Sequence, residues 1–403
     1  MGTGKATHHE GFRPLITLNE ARACDDSDPL AHFRDRFVIP DDVLYLDGNS
    51  LGPLPRATID ANRDLVERQW GDRLIRSWTE GWMDAPARIG AKIAPWIGAA
   101  ADEVIVADTV SANLFKLIVA ALRYDPARKV VLSEAGNFPT NLHIAEGAVG
   151  CVPGAELRVV PRDALKGAVG DDTALVLLTH VHYKTCERFD MPAWTARAHM
   201  AGALICWDLS HSVGAIAVDI ADADCSVGCG YKFLNGGPGA PAFMHVAKRH
   251  QERFGNVLSG WMGHAAPFAF TDPYAPGLGM ERWRTGTPSM LAMAAMESAL
   301  NTIADVDIAA LETKSAALFD IMAAAGDAIG LECTTPRDPA QRGSHISFRH
   351  PDAENVMSCL IARGVIGDFR TPDILRFGLT PLYLKYEDVW RAGAELVEEV
   401  RSR

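Results

Sequence analysis

Lys232 sits between a tyrosine and a glycine-rich run in "GYKFLNGGPGAP", residues 230–241. A lysine is seldom buried without a partner. Clustered glycines give up backbone entropy unless the chain needs an unusual φ or a close approach. Together they imply a ligand held against this turn. A lysine amine condenses with an aldehyde to form a Schiff base, and the cofactor that uses this chemistry is pyridoxal 5'-phosphate (PLP). PLP needs a lysine for its aldehyde, a carboxylate for its pyridine nitrogen, an aromatic or apolar face on its ring, and donors for its phosphate. Those donors are commonly the free amides of a helix N-terminus. Asp208 ends the apolar run "ALICWD", one crossover ahead of Lys232. Ser111 stands where the helical pattern "SANLFKLIV" opens, so its hydroxyl and the nearby amides suit a phosphate. Phe138, in "NFPT", is placed to lie on the ring. His211, one short turn past Asp208, can reach the cofactor or that carboxylate.

Each residue alone has a plainer reading. A strand-end aspartate is most often a cap, a lone phenylalanine is core, and "GGPG" is a turn. Their order on successive strand ends is what points to PLP. The elements that must position them are legible as short apolar or β-branched runs: "EVIVAD", "KVVLSE", "LRVVP", "ALVLLTHV", "ALICWDLS" and "DCSVGCGYKF". Helical patterns such as "SANLFKLIVAALRY" and "MPAWTARAHMAG" lie between several of them. The alternation predicts an α/β fold with a mostly parallel sheet covered on both faces. Ligands in such sheets sit beyond the carboxyl ends of the strands, where Thr109, Val110, Ser111, Thr179, His180, Asp208, Tyr231 and Lys232 fall. After about residue 290, Ala-rich helices, "SHISFRH", "AENVMSCLIARGV", "ILRFGLT" and a closing amphipathic helix predict a smaller α+β domain. The first ~50 residues are expected to pack on it or on a partner chain.

Rival chemistries are weaker. His180 and His182 in "HVHYK" share a strand face, as two metal ligands would, but no third ligand has matching spacing. Cys225 and Cys229 in "CSVGC" lack a second pair and read as buried strand cysteines. Lys184 has neither the tyrosine nor the glycine loop of Lys232. No metal is expected. The net charge of −12 argues against nonspecific nucleic-acid binding. No window approaches the ~18 unbroken apolar residues of a membrane span, and "MGTGKATHHEGF" has no signal-peptide core. Eight scattered cysteines fit reduced thiols and a cytoplasmic home.

The chain resembles the kynureninases, fold-type I PLP enzymes of the class V-like aminotransferase superfamily. "YLDGNSLGPLP", "WGDRLIRSW", "DTVSANLFK", "NFPTN", "WDLSHSVGA", "GCGYKFLNGGPGAPAF", "SGWMGH", "RTGTPSML" and "LRFGLTPLY" carry the resemblance, over most of the chain. It implies a large PLP domain (51–288) with a sheet of the seven-stranded type, an N-terminal arm (1–50) and a small C-terminal domain (289–403). It implies that Lys232 bears the Schiff base, Asp208 pairs with the ring nitrogen and His211 is a neighbouring cofactor contact. Val110 and Ser111 would take the phosphate, with Tyr231 a further phosphate contact and proton relay. Phe138 would stack, with Pro139, Thr140 and Asn141 in its segment and Thr179 nearby. Trp261 and Thr287 would reach the cofactor across a homodimer with shared active sites. Arg376 would pair with the substrate α-carboxylate, with Asp72 and Trp78 close to the substrate. The implied reaction is hydrolytic cleavage of the Cβ–Cγ bond of kynurenine or 3-hydroxykynurenine, giving an anthranilate and L-alanine, in tryptophan degradation and NAD-precursor metabolism. One position departs from the family pattern: Asn141 stands where an aspartate is usual. That keeps open a relative acting on a modified kynurenine. Another class V-type PLP reaction is a second alternative; desulfuration would need a mobile nucleophilic cysteine at the site. A non-catalytic PLP-fold binding protein is a third, which retention of Lys232, Asp208 and Arg376 argues against.

Overall fold

Runs that are apolar on both faces can only be buried between two layers, and here they form one sheet. In the computed structural model, which describes residues 16–220 and 222–403, the strands are β1 (Val104–Val106), β2 (Val130–Glu134), β3 (Glu156–Val160), β4 (Thr173–Thr179), β5 (Leu204–Asp208), β6 (Cys225–Gly228) and β7 (Phe243–Val246). They lie side by side in the order β1-β7-β6-β5-β4-β2-β3. The run from β6 through β5, β4 and β2 to β3 is parallel, and β7 is antiparallel to both neighbours. All except the edge strand β3 are buried along their length.

Two details depart from the sequence reading. β7, from "FMHV", was not anticipated: it is four residues long and follows a Pro/Gly stretch that reads only as a turn. The run expected to stay extended through Phe233 stops at Gly228. Beyond it the chain folds back, with the Gly236 amide donating to the Gly230 carbonyl (2.8 Å) and the Asn235 amide to the Lys232 carbonyl (2.9 Å). Gly237 and Gly239 continue the turn at φ +87° and +73°, a region that disfavours other residues. Lys232 is therefore on a turn, not on a strand.

The helix Val110–Tyr124 follows β1, and Pro139–Val149 follows β2 with Pro139 as its first residue. A second, antiparallel sheet has the order β8-β9-β11-β10, formed by β8 (Glu332–Cys333), β9 (His345–Arg349), β10 (Asp368–Arg370) and β11 (Ile374–Gly378). The helices Ile308–Asp327 and Tyr386–Arg401 pack together beside it.

The N-terminal part of the described chain is tied to these helices. Asp25 accepts from the amides of Tyr386 (2.7 Å) and Glu387 (3.0 Å), which open the last helix. Lys314, buried in Ile308–Asp327, pairs with Asp28 at 2.6 Å. Leu44–Tyr45 pairs in parallel with Val365–Ile366. Residues 1–15 of the expected arm lie outside the described residues.

Candidate active site

The carboxyl ends of β2, β4, β5 and β6 meet on one edge of the sheet, and Lys232 hangs over them. Its Nζ lies 2.9 Å from His211 Nε2, with the ring centres of Phe138 and Tyr231 at 5.7 and 5.8 Å. Burial pushes the Lys232 ammonium below the ordinary lysine range; Cys229 and Asp208 oppose this, and Arg376 and Arg370 add to it. Burial, then Lys232 and Arg376, push His211 well below its usual range, so the imidazole is neutral. The sequence left His211 free to contact Asp208; it bonds Lys232 instead.

Asp208 is 3% exposed. Its Oδ1 accepts from the Ser210 amide (2.9 Å), and its Oδ2 from Asn141 Nδ2 (2.8 Å). Asn141 Nδ2 also lies 3.2 Å from Thr179 Oγ1, which donates to Asn137 Oδ1 at 2.5 Å. Asn137 in turn donates to Ser133 Oγ (2.9 Å) and accepts from the Phe138 amide (2.7 Å). Asn137 is thus the hub that joins β2, β4 and the start of the next helix. It was missed as a site residue, although the first letter of "NFPTN" carried the signal. Of the same segment, Pro139 is exposed and Thr140 half-buried.

Thr109 caps the helix Val110–Tyr124, its Oγ1 accepting from the Ala112 amide (3.2 Å). The amides of Val110 and Ser111, ahead of Ala112, belong to the first turn, where an α-helix provides no partners.

Arg376, on β11, is buried and already engaged. Nε donates to Asp368 Oδ1 (2.7 Å), Nη2 to Asp368 Oδ2 and to Ser50 Oγ (2.9 Å), and Nη1 to the Tyr183 carbonyl (2.5 Å). Burial alone would raise the Asp368 carboxyl; its hydrogen bond and charge contact with Arg376, with help from Arg370, hold it below the usual range. Tyr183 meets the Phe138 ring edge-on at 5.3 Å, so the Arg376 and Lys232 groups are linked through it.

The segment "LDGNSLG", which carried resemblance but no stated role, joins the same two groups. Ser50 touches Arg376 and Asp368. The Gly52 amide donates to the Tyr231 carbonyl at 2.8 Å. A Cβ on Gly52 would collide with the Lys232 carbonyl and Asn235 Oδ1.

Four expected residues do not join the cluster within one chain. Asp72 is exposed at the end of a π-helical turn, Leu65–Asp72, and Trp78 packs edge-on against Trp82 at 5.3 Å. Trp261 is 41% exposed and rests against Phe268. Thr287 lines a cavity of about 280 Å³ with Asp108, Thr109, Gly239 and Arg284, beside the start of the helix Val110–Tyr124 and not in contact with Lys232. Among the described residues, no hydrogen bond, ion pair or ring contact ties these four to Lys232.

The rival readings find no support in the geometry. His182 is engaged with the Gly136 carbonyl (2.8 Å) and Thr185, and His180 packs on Trp207. No group of three ligating side chains suits a metal among the described residues. Lys184 donates to the Thr371 carbonyl at 2.8 Å. Cys225 and Cys229 are both buried. Cys229 is the one beside Lys232, and burial raises its thiol pKa, which makes it a poor nucleophile.

The donor set fits PLP. A desolvated lysine, a buried strand-end carboxylate, an aromatic ring and an open helix start face one edge. Asn141 Oδ1 and His211 Nδ1 are buried with no partner in the chain, as groups awaiting a polar ligand are.

Comparison with known proteins agrees. The family described as the kynureninase C-terminal domain matches residues 311–396. The chain is 50% identical over 393 residues to the kynureninase of Deinococcus radiodurans, covering 94% of this chain and 96% of that one. It is 49% identical to a Burkholderia mallei kynureninase, covering 94% of each. Among solved structures, a cysteine desulfurase from Thermococcus onnurineus superposes with a TM-score of 0.79 at 16% identity, covering 93% of this chain and 98% of that one. The cystine lyase C-DES, with glycine covalently linked to its PLP cofactor, gives 0.79 at 15% identity, covering 91% and 99%. At such identities these two show the fold alone.

Proposed function

Because the chain belongs to the kynureninase family, we infer that it is a PLP-dependent hydrolase. It cleaves the Cβ–Cγ bond of L-kynurenine, 3-hydroxy-L-kynurenine or both, releasing the corresponding anthranilate and L-alanine. The observation that carries this is the 50% identity to a kynureninase along nearly the whole chain. The rest of the reading assigns roles to residues.

When bound, PLP supplies an electron sink for the charge released at the substrate α-carbon. Lys232 would hold its aldehyde and Asp208 its protonated ring nitrogen. Phe138 would lie on the ring, with Pro139, Thr140, Asn141, Thr179 and His211 around it. Val110, Ser111 and Tyr231 would take the phosphate. Burial lowers the basicity of Lys232, so more of its amine is unprotonated near neutral pH and able to remove the α-proton. The neutral His211 at 2.9 Å can hold that amine in place without adding a charge. Arg376 would bind the α-carboxylate. Asp368 and Ser50 hold its Nε and Nη2 and the Tyr183 carbonyl accepts from Nη1, so the substrate carboxylate would have to share these donors or displace one of these partners. Tyr231 would pass a proton toward the leaving carbon.

The working unit in this reading is a homodimer with shared active sites. Trp261 and Thr287 would reach the partner's cofactor and Asp72 and Trp78 would lie close to the substrate; supporting the dimer, exposed Trp70, Leu74, Ile75, Trp261 and Phe270 are apolar groups of the kind that interfaces cover. The arm, large and small domains would divide at about residues 50 and 288. A cytoplasmic location and a place in tryptophan breakdown toward NAD precursors complete the proposal. The free state of all eight cysteines is consistent with a reducing compartment, and no described helix is long and apolar enough to cross a membrane.

The test is anthranilate release. Purified protein with added PLP is given L-kynurenine and 3-hydroxykynurenine in parallel. Release from either is expected, and the ratio assigns the preference. No release from either, with cofactor visibly bound, would overturn the reaction and leave the fold.

A further inference from the structure

Asn141 is where the chain departs from the family pattern, and the hydrogen bonds around it have a fixed direction. Two backbone groups anchor them. The Leu177 carbonyl can only accept, so Ser133 Oγ donates to it (2.8 Å) and accepts from Asn137 Nδ2. The Phe138 amide can only donate, so Asn137 Oδ1 is the acceptor (2.7 Å). Thr179 Oγ1 must then give its one proton to Asn137 Oδ1. Its lone pairs are what face Asn141, Asp208 Oδ2 lies at the same point, and Asn137 Oδ1 stands further off at 3.5 Å. All three are acceptors, and the site is fully buried. Only a donor satisfies them.

We propose that Asn141 is a positioning residue which acts as an obligatory donor, holding Asp208 through its Nδ2 while Ser210 holds the other oxygen. An aspartate at 141 could donate to Asp208 only when protonated, because two carboxylates in contact cannot both ionise, and its single proton would still leave Thr179 Oγ1 without a donor. The chain's own choice of an amide removes that shared proton. The consequence for the cofactor rests on the reading of Asp208 as partner of the ring nitrogen: with Asn141, the Asp208 carboxylate has no neighbour competing for the proton it is to share with the ring. The binding of PLP should then be insensitive to any titration at 141.

The experiment compares wild type, Asn141→Asp and Asn141→Ala as full-length protein, with and without saturating PLP, at pH 5.5 and 8. Urea midpoints are read by fluorescence and PLP dissociation constants by titration. Without PLP, Asn141→Asp is expected to be destabilised at both pH values, less at pH 5.5, where the folded carboxyl still carries its proton, than at pH 8. The sign follows because its folded pKa is raised, so its contribution is present at low pH and lost as pH rises. Asn141→Ala should lose stability about equally at both pH values. With PLP, Asn141→Asp should bind about tenfold more weakly at pH 8 than at pH 5.5, relative to wild type. If Asn141→Asp tracks wild type at both pH values without PLP, the donor role is overturned. If it does not fold, an Asn141→Ala midpoint equal to wild type overturns it equally. Loss of stability at pH 8 with unchanged PLP affinity would keep the donor role and refute the assignment of Asp208 to the ring nitrogen.

Discussion

Replacing Gly52 by alanine tests how the Lys232 turn is held. The new Cβ would overlap the Lys232 carbonyl and Asn235 Oδ1 and stand 2.9 Å from Asn235 Cα. Neither obstacle can move cheaply. The Lys232 carbonyl already closes its turn with the Asn235 amide at 2.9 Å, and Asn235 is buried with Nδ2 bonded to the Phe233 carbonyl at 2.8 Å. The loop carrying residue 52 must therefore back away, which breaks the bond from its amide to the Tyr231 carbonyl. Overpacking of this kind costs about 1–3 kcal/mol, and a lost hydrogen bond adds about 1 kcal/mol. The expected loss is about 2–4 kcal/mol in urea unfolding. Because Tyr231 adjoins Lys232, the amine should shift as well, and a displacement near 1 Å costs on the order of 10²-fold in kcat. A Gly52→Ala protein with stability and kcat both equal to wild type would refute the bracing role of this segment.

Three further outcomes follow from other contacts. Lys232→Ala should abolish turnover and leave PLP bound only noncovalently, so that borohydride no longer fixes it to the chain as it does in wild type; normal turnover would remove Lys232 from the chemistry. Arg376→Lys keeps a positive charge beside Asp368 but loses the fork that meets two oxygens at once, so KM should rise about 10- to 100-fold with a smaller change in kcat; an unchanged KM would put the substrate carboxylate elsewhere. Asp224→Asn tests a structural carboxylate at the base of the sheet. Burial would raise this carboxyl, but hydrogen bonds from His250, His199, the Ile205 amide and Arg249 together hold it at about 2, below its ordinary 3.8. A depressed pKa contributes stability above the unfolded value that is lost as pH falls toward 2, so the variant should be less stable than wild type by about 2 kcal/mol at pH 7. The difference should shrink on acidification; a gap that stays constant down to pH 2 would contradict it.

Much of the site was legible because its chemistry lies in local runs. The apolar strands, the polar residues at their ends and the glycine-rich turn around Lys232 are patterns a few residues long, and the physics that produces them, burial on two faces and turn geometry, is local. Lys232, Asp208, Phe138 and Thr179 could therefore be picked out by type and place, whereas Arg376 came only through the family resemblance. Residues whose role depends on a distant partner could not. Asn137 and Ser133 are ordinary polar letters until β2 lies beside β4. Gly52 is one glycine among many until it meets the Lys232 carbonyl. Ser50 and Asp368 matter because β11 carries Arg376 between them, and β7 shows itself only once β1 and β6 leave a gap for it. The residue order alone carries the cofactor chemistry and the strand-end placement of the residues proposed to hold it. The tertiary structure decided which donor faces which acceptor, above all that position 141 must donate. Hydrogen-bond direction in a buried network is set by the fixed backbone groups at its ends, and those come together only when the chain has folded.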